Sequence, residues 1–507
     1  MQKSSAKTIF NGTLWGIISK IVSAGIQFVT IPLLIGHYGK TEYGLIALAY
    51  SLNAYLRLVD LGMNVGIVRY LSMWVAKKDS ESIIKVSQSS IVFFSLIGFF
   101  NAIVFILIGI FSEQLFHFDS RQEEIFKWLM YILAASAILN WVLYIINQIL
   151  TAYDEIAWIS RTTIIASFLS LLSALAVLKF NLSMPKYFIL YTLSFLLILP
   201  LNIARLRKTN LPIIQLLIPK WNYKKFKVVL GYGLSIFTMG IFQFSANNLR
   251  PILLGAYSNE GVGVVTEYRI VETISMLVMA IGVVFLQVLL PVSAKFHALK
   301  DEKRITEIIF GGTKYISLFL SLVIFGLIIN ADELLELYVG SQFTHLAGWL
   351  IIWLLTLFYM HNAPVSSLIL SEGKVRPLVW SSAIGCVISL GITSILAPRL
   401  NVGAAVIGYL VYTIIQLLFN YFYYIPYVLH LNGMKIFFGS FIPAVLLGGA
   451  TAYLAYFIAA KFNLGNYSLI IQIIVKSGLF VSLFLAAVFT FSIRKKEIIR
   501  LYNQAIG

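Results

Sequence analysis

The sequence predicts an all-α, polytopic membrane protein with about fourteen transmembrane helices. Hydrophobic residues make up 59% of the 507 residues, charged residues make up 12%, and the mean hydropathy is +0.88. A soluble globular protein is not this apolar. Apolar windows of membrane-spanning length recur along the chain, and the basic residues fall mainly in alternate loops, as in proteins that cross a membrane many times.

The apolar windows set the expected helix count. A bilayer core of about 30 Å needs roughly 20 helical residues. The windows that reach this length are 9–36, 43–68, 87–111, 125–150, 158–178, 186–204, 228–255, 262–290, 308–329, 346–370, 378–397, 402–424, 437–460 and 467–492. The first window is too long for the apolar core of a signal peptide, so we expect it to be retained. Most connections are short, which leaves no soluble domain large enough for an active site.

The loop charges predict the orientation of the chain. Lysine and arginine number 38 against 21 aspartates and glutamates, which gives a net charge of +17. The basic residues cluster in both tails and in loops on one side, above all in residues 205–227, whereas the opposite loops carry mainly acids. By the positive-inside rule, both termini are cytoplasmic. Because topology accounts for the positive charge, no nucleic-acid partner is predicted.

Signatures of enzymes and of bound metals are absent from the sequence. It has no Gly-x-x-x-x-Gly-Lys-Ser/Thr loop, no zinc-ligand spacing, and no outer loop rich in Asp, His or Arg of the kind that a glycan polymerase would need. Cys386 is the only cysteine, so no intrachain disulfide can form. We predict neither catalysis nor a cofactor. Coupling to protons or sodium stays open, since the sequence contains no clear ion site.

An internal repeat divides the chain into two halves. Residues 31–38, Ile-Pro-Leu-Leu-Ile-Gly-His-Tyr, match residues 250–257, Arg-Pro-Ile-Leu-Leu-Gly-Ala-Tyr, and the same offset pairs Gly44 with Gly263. Both copies run outward, and in transporters with such parallel repeats the substrate site lies near the bilayer midplane, between the halves. The predicted parts are an N-terminal bundle of residues 1–204, a basic cytoplasmic connector of residues 205–227, a C-terminal bundle of residues 228–424, and two additional helices with a cytoplasmic tail in residues 425–507.

Two stretches near the N-terminus resemble a known family. The first is Ile31-Pro32-Leu33-Leu34-Ile35-Gly36-His37-Tyr38-Gly39-Lys40-Thr41-Glu42-Tyr43-Gly44, and the second is Leu58-Val59-Asp60-Leu61-Gly62-Met63, which leads to Arg69-Tyr70. They are similar to the polysaccharide or oligosaccharide-lipid flippases of the multidrug/oligosaccharidyl-lipid/polysaccharide exporter superfamily.

This resemblance implies a fold, a substrate and a set of partners. The fold would be two pseudo-symmetric six-helix bundles around a central cavity, here with two further C-terminal helices. The substrate would be an undecaprenyl-pyrophosphate-linked oligosaccharide repeat unit, moved from the inner to the outer leaflet of a bacterial plasma membrane for O-antigen, capsule or exopolysaccharide. A glycan polymerase and chain-length machinery would be partners of a monomeric flippase in the bilayer.

Three charged residues lie inside the first two apolar windows: Lys20, Arg57 and Asp60. A charge near the middle of a transmembrane helix costs roughly 2.5–3.5 kcal/mol, so it normally faces the protein interior or a water-filled cavity. Arg57 and Asp60 are three residues apart and can neutralise each other in part. Lys20 has no acid at helical spacing. We expect these side chains to bind a pyrophosphate, since guanidinium groups match phosphate oxygens. The structural alternative for Lys20 is a pair with Asp60.

The second half carries its charges elsewhere. At the repeat offset, the three charged residues become methionines, whereas polar residues cluster nearer the predicted outer face: Asn247, Arg250, Glu267, Arg269 and Glu272. We interpret Arg250 and Arg269 as a second, outward anion site, with Asn247 beside it for sugar hydroxyls. The alternative is a gate in which Glu267 and Glu272 form ion pairs. Pro364, just after His361, predicts a hinge in the tenth helix.

Three other functions remain as alternatives. A cation-coupled multidrug exporter would share the architecture, but it would be expected to line its cavity with acids. A flippase for the peptidoglycan lipid precursor would share the pyrophosphate chemistry. A membrane glycan polymerase or ligase would need an outer catalytic loop.

Overall fold

All regular elements in the described part of the chain are helical. The structure is a computed structural model that describes residues 2–60, 62–209, 211–298, 302–372, 376–462 and 464–492. Apolar sequence without strand periodicity folds into helices in a membrane, because a helix satisfies its own backbone hydrogen bonds. The all-α prediction is confirmed.

The helices follow one another through short connections. The α-helices are α1 (Gln2–Tyr38), α2 (Lys40–Leu56), α3 (Met63–Ala76), α4 (Ser80–Ile110), α5 (Ser112–Phe116), α6 (Ser120–Ala152), α7 (Ile156–Phe180), α8 (Met184–Leu196), α9 (Ile198–Leu206), α10 (Ile213–Leu217), α11 (Tyr223–Asn248), α12 (Arg250–Tyr257), α13 (Gly263–Ala298), α14 (Glu302–Ile328), α15 (Ala331–Val339), α16 (Ala347–Thr356), α17 (Ala363–Glu372), α18 (Arg376–Leu400), α19 (Val402–Phe419), α20 (Gly433–Ile436), α21 (Ile442–Ala460) and α22 (Leu469–Ala487). Short 3₁₀ and π-helical segments join or extend several of them, at Arg57–Asp60, Arg207–Thr209, Ser341–Leu346, Leu357–Asn362, Asn420–Val428, Phe437–Phe441, Leu464–Asn466 and Val488–Ser492.

Eleven helical segments of the described chain are long and apolar enough to cross a membrane. They coincide with eleven of the predicted windows, which makes the chain a multi-pass membrane protein. The other three windows are 43–68, 228–255 and 262–290. The first is interrupted after α2, the second divides between α11 and α12, and the third lies on α13. The count of fourteen spans stays a prediction.

The chain forms two compact units. Unit 1 consists of Met1–Thr273 and Leu378–Gly408. A hydrophobic core of unit 1 joins α3, α4 and α6, where the rings of Phe94 and Trp141 stack 5.1 Å apart. Small polar residues also link neighbouring helices, as where the Ser23 and Ser167 hydroxyls lie 2.8 Å apart between α1 and α7. Such hydrogen bonds between small residues are typical of membrane helix contacts.

The N-terminus of α4 is fixed by a side-chain cap. Asp79 accepts hydrogen bonds from the Ser82 backbone N–H at 3.0 Å and from its hydroxyl at 2.5 Å. Because both bonds favour the charged carboxylate, they hold the pKa of Asp79 below its usual value. The cap therefore sets where the helix begins, directly after the basic residues of the preceding loop.

Unit 2 consists of Ile274–Pro377 and Tyr409–Gly507. Its core joins α14, α21 and α22 through buried residues that include Phe480 and Phe484. Gly448 lies against α14 so closely that a Cβ atom there would be 2.8 Å from the Ser321 Cβ. The missing side chain permits this approach, and the Ser321 hydroxyl donates to the Ala444 carbonyl across it at 3.0 Å.

The predicted span 346–370, the tenth apolar window, is interrupted beside Pro364. α16 ends at Thr356, a 3₁₀ segment carries the chain through His361, and α17 begins at Ala363. The buried His361 lies 2.5 Å from the Phe358 carbonyl through Nδ1 and 2.6 Å from the Tyr421 hydroxyl through Nε2. Since a carbonyl only accepts, Nδ1 donates and the tyrosine donates to Nε2. His361 is thus a satisfied packing residue, and the hinge at Pro364 stays a prediction.

An ion pair between α15 and α22 is expected to stabilise unit 2. Lys476 pairs with Glu333, and their side chains are only 12% and 14% exposed. Removing one partner of a buried pair costs about 3–5 kcal/mol, and we expect the lower part of that range here. Lys476→Met should therefore lower the thermal midpoint of the detergent-solubilised protein by several degrees. The double variant Lys476→Met/Glu333→Leu should recover most of the lost thermal midpoint. If the single and the double variant had the same thermal midpoint, the ion pair would not be what stabilises the unit.

Candidate functional site

The second membrane segment breaks at the predicted arginine. α2 ends at Leu56, a 3₁₀ turn spans Arg57–Asp60, and Gly62 has a φ of +69° before α3 begins. The Asp60 carboxylate accepts from the Gly62 N–H at 2.8 Å and from the Tyr144 hydroxyl at 2.7 Å. Asp60 therefore holds the break in shape, and its two oxygens are already engaged by neutral donors.

The expected partial neutralisation of Arg57 by Asp60 is not observed. No ion pair within the described residues joins these two side chains, although they are three positions apart. The reason is the break itself, because the carboxylate turns toward Gly62 and Tyr144 and leaves the guanidinium exposed. The Arg57 guanidinium is therefore available to another partner.

The exposed guanidinium of Arg57 faces a cavity of about 440 Å³ in unit 1. Four helices of the first half and one residue of α13 line it. The lining residues are Ser23, Ile26, Gln27, Thr30, Ile31 and Leu34 from α1, Tyr43, Tyr50, Asn53, Ala54 and Arg57 from α2 and its turn, Thr163, Ser167 and Ser170 from α7, Tyr187, Tyr191 and Phe195 from α8, and Arg269 from α13. Two arginines and many hydroxyl and amide groups thus share one cavity, and no aspartate or glutamate is among the lining residues.

Arg269 is the second cation of the cavity. Its guanidinium donates to Ser51 on α2 at 2.9 Å and to Glu272 on its own helix at 2.5 Å. Ser51 and Arg57 are six residues apart on the same segment, roughly 9 Å along a helix axis. Of the two cavity arginines, only Arg269 has a carboxylate partner among the described residues.

Four tyrosines form a wall of the cavity that the sequence did not single out. The Tyr50 and Tyr187 hydroxyls lie 3.2 Å apart, and the Tyr50 and Tyr191 rings are 4.7 Å apart. Tyr191 is within electrostatic reach of both Arg57 and Arg269. Helical spacing was the available signal, since Tyr43, Tyr50 and Arg57 follow each other at seven-residue intervals and so share one face. Aromatic rings with hydroxyls provide both stacking surfaces and hydrogen-bond donors.

Lys20 lies next to the cavity on α1. Its side chain is exposed, and it is not among the lining residues. Position 20 precedes Ser23 by three residues and Gln27 by seven, so it continues the stripe of α1 that faces the cavity. Lys20 therefore lies about one turn beyond the cavity, toward the predicted cytoplasmic end of α1.

The other polar residues predicted for the second half separate into two groups. Arg250 is only 1% exposed and donates to the Ser389 hydroxyl at 3.3 Å, and Asn247 is half-buried. Neither is among the lining residues of the cavity, to which Arg269 contributes, so the predicted second anion site does not coincide with this cavity. Glu267 is buried and forms an ion pair outside the cavity, with Lys40 at 2.6 Å.

α2 and α13 pack closely against each other where both helices begin. Besides the Lys40–Glu267 pair, the Thr266 hydroxyl donates to the Lys40 carbonyl at 2.6 Å. A Cβ atom at Gly44 would be 3.0 Å from the Val262 carbonyl carbon, so only glycine permits this approach. We call these five residues the α2–α13 seal. Sequence reasoning missed Lys40, because its partner is more than 200 residues away in the chain.

Comparison with known proteins identifies the family. The model of a family described as "Polysaccharide biosynthesis protein" matches residues 9–297, more than half of the chain. Two curated proteins, both named "Putative O-antigen transporter", also match. The protein of Salmonella typhimurium is 31% identical over 112 residues, 22% of this chain and 25% of that protein. The protein of Salmonella typhi is 24% identical over 307 residues, 59% of this chain and 69% of that protein.

Solved structures share the fold at low sequence identity. The lipid II flippase MurJ in an inward closed conformation superposes with a TM-score of 0.71 at 15% identity, covering 93% of this chain and 98% of that chain. An inward-facing multidrug resistance MATE family transporter of the MOP superfamily gives 0.61 at 14% identity, covering 86% and 98%. The chain thus has the fold of MOP-superfamily transporters, and it belongs to the polysaccharide biosynthesis protein family, a family of transporters and not of enzymes.

Proposed function

We propose that this protein is a flippase for undecaprenyl-pyrophosphate-linked oligosaccharide repeat units, which it moves from the cytoplasmic to the outer leaflet for surface polysaccharide synthesis. One observation carries the proposal. Arg57 and Arg269 line a single cavity within the membrane-spanning helices, and no acid is among its described lining residues. Of these two cations, only Arg269 has a carboxylate partner among the described residues. Burying such charges at membrane depth costs free energy unless they bind an anionic ligand.

The chemistry of the cavity suits this cargo. Guanidinium groups bind phosphate oxygens through paired, charge-assisted hydrogen bonds. The tyrosine wall, with Gln27 and Asn53, offers donors and acceptors for sugar hydroxyls. Lys20, at the predicted cytoplasmic mouth, would attract the head group before it reaches Arg57. The polyprenyl tail would stay in the lipid, so the protein needs to enclose only the polar part.

The family relationship supports the same cargo. Both curated relatives carry O-antigen transporter names, and O-antigen is a surface polysaccharide. We propose alternating access between two six-helix bundles followed by two C-terminal helices, with both termini cytoplasmic and the protein monomeric in the bilayer. A glycan polymerase and its chain-length machinery would receive the product.

The charge of the cavity also separates this proposal from drug export. A transporter of cationic drugs would need carboxylates facing its cargo, whereas the described lining residues include two arginines and no acid. A peptidoglycan-precursor flippase would use the same pyrophosphate chemistry. Viability after gene deletion distinguishes it, because loss of the peptidoglycan precursor is lethal and loss of a surface glycan is not.

Reconstitution tests the proposed function directly. Purified protein in liposomes should carry an undecaprenyl-pyrophosphate-linked fluorescent saccharide across the bilayer faster than empty liposomes, as measured by its exposure to an impermeant quencher. The matching lipid without pyrophosphate should move at the background rate. Movement of cationic dyes with no movement of the pyrophosphate lipid would contradict the proposal and favour a drug exporter.

A further inference from the structure

We propose that Arg269 is a removable half of the anion site: opening of the α2–α13 seal withdraws its guanidinium from the cavity and so weakens the hold on the pyrophosphate. This inference rests on the proposed function and concerns how the same site releases its cargo. If the site bound the cargo equally well with the seal closed and open, opening would not favour release. Only a difference in binding affinity between the two states can do so.

Arg269 differs from the other described lining residues in the part of the chain from which it comes. All other described lining residues of the cavity come from residues 23–195, in the first half of the chain, whereas Arg269 comes from α13. It reaches the cavity only because the start of α13 packs against α2. Arg57, by contrast, belongs to the segment that forms the cavity wall. The two cations are therefore carried by two different helical segments of unit 1.

The bonds of Arg269 carry the second step. Its bond to Glu272 lies within α13 and moves with that helix, whereas its bond to Ser51 crosses to α2. If α13 leaves α2, the Ser51 bond breaks and the Glu272 pair survives. Arg269 would keep its counter-charge as it leaves, which avoids stranding an isolated charge at membrane depth.

The seal couples this withdrawal to opening. Glu267 and Thr266 contact Lys40 only two to three residues before Arg269 on the same helix. A rigid helix cannot separate at the seal and keep a neighbouring side chain in place less than one turn away. The predicted outer end of the cavity therefore cannot open at this contact while Arg269 still holds the Ser51 hydroxyl.

The consequence is a cavity with two charge states. With the seal closed, Arg57 and Arg269 both face the cargo. With the seal open, Arg57 faces it alone, and we expect at least tenfold weaker binding of a pyrophosphate, because paired charge-assisted hydrogen bonds to one guanidinium are lost. The cargo is bound tightly while the outer side is closed and released when it opens.

A double-mutant cycle tests the coupling. The probe is farnesyl pyrophosphate, whose dissociation constant is measured on the protein in nanodiscs. Two variants open the seal by different means: Glu267→Gln removes the charge paired with Lys40, and Gly44→Ala inserts a methyl group against Val262. Each is combined with Arg269→Ala. Opening is monitored independently through Leu34→Cys, which lines the cavity, by labelling with an impermeant thiol reagent from the outside in a Cys386→Ser background.

The expected result is strong non-additivity. Arg269→Ala should weaken binding at least tenfold in the closed protein and less than twofold in whichever seal variant increases labelling at position 34. Arg121→Ala, which removes a cation that is 78% exposed outside the cavity, should change neither measurement. Equal losses from Arg269→Ala in both backgrounds would overturn the proposal.

The remaining outcomes also decide. Labelling that neither seal variant increases would show that these contacts do not close the outer side, and the withdrawal mechanism would be wrong. Wild-type protein that binds farnesyl pyrophosphate no better than farnesol would overturn the proposed function itself. A failure of release control and a failure of the cargo assignment are thereby distinguished.

Discussion

Arg57→Ala is expected to abolish surface glycan in a strain that depends on this protein for its transport. Arg57 is exposed to the cavity, has no acidic partner among the described residues, and begins the 3₁₀ turn that interrupts the second membrane segment. Hydrogen bonds to charged groups are each worth about 1.5–3 kcal/mol, so loss of a bidentate pair should slow transport at least a hundredfold. Immunoblotting of surface glycan, normalised to the amount of membrane-inserted protein, measures the effect.

Two matched variants make the Arg57 result interpretable. Arg57→Lys keeps the charge but not the planar fork, so we expect partial activity. Arg121→Ala removes an arginine that is mainly exposed and pairs with Glu42 outside the cavity, and it should leave the glycan unchanged. Full glycan in a normally expressed Arg57→Ala strain would show that the cation does not bind the cargo.

The residues at membrane depth were predictable because a charge in a lipid-facing segment demands a reason. Arg57 and Arg269 stand out in the sequence on this ground alone, and both line the cavity. Their shared cavity was not predictable, since the two positions are more than 200 residues apart. Arg250 meets the same sequence criterion, yet its side chain is only 1% exposed. It donates a hydrogen bond to Ser389, which is 139 residues away in the chain.

The break in the second membrane segment was hidden for a different reason. Leu58 and Val59 are compatible with an apolar helix, so the sequence predicts one continuous span over the window 43–68. The break depends on Gly62 with its positive φ, and on the Tyr144 hydroxyl, which comes from α6 to meet Asp60. Tertiary contacts of this kind leave no periodic signal in the sequence. They decide that Asp60 shapes the turn and does not neutralise Arg57.

Two glycines that correspond at the repeat offset meet at one contact, which the sequence analysis did not predict. Gly44 and Gly263, which correspond between the two halves, lie on opposite sides of the same packing surface. A Cβ atom at Gly44 would press on Val262, and one at Gly263 would be 3.3 Å from the Lys40 side chain. Matched glycines at a contact between repeats permit close helix approach from both sides, as small residues do in membrane proteins generally.

A second glycine contact, between α3 and α11, is expected to be equally sensitive. Gly62 has a φ of +69°, and a Cβ atom there would be 2.8 Å from the Phe237 amide nitrogen. An alanine would incur a left-handed backbone cost of about 1–2 kcal/mol together with overpacking of about 1–3 kcal/mol. The Gly62 N–H also donates to Asp60, so displacement of this residue would move the turn that carries Arg57. Gly62→Ala should therefore reduce surface glycan to below a tenth of the wild-type amount.

The same helices supply a control and a graded test of this second contact. Gly240→Ala on α11 adds a methyl group where no atom lies within 4 Å, so it should leave transport and the thermal midpoint unchanged. Gly66→Ala, whose Cβ would be 3.0 Å from the Val229 carbonyl oxygen without a positive φ, should have an intermediate effect. Gly62→Ala could also keep both the wild-type amount of surface glycan and the wild-type thermal midpoint. In that case α3 and α11 would have room to separate, and their close packing would not be what holds Arg57 in the cavity.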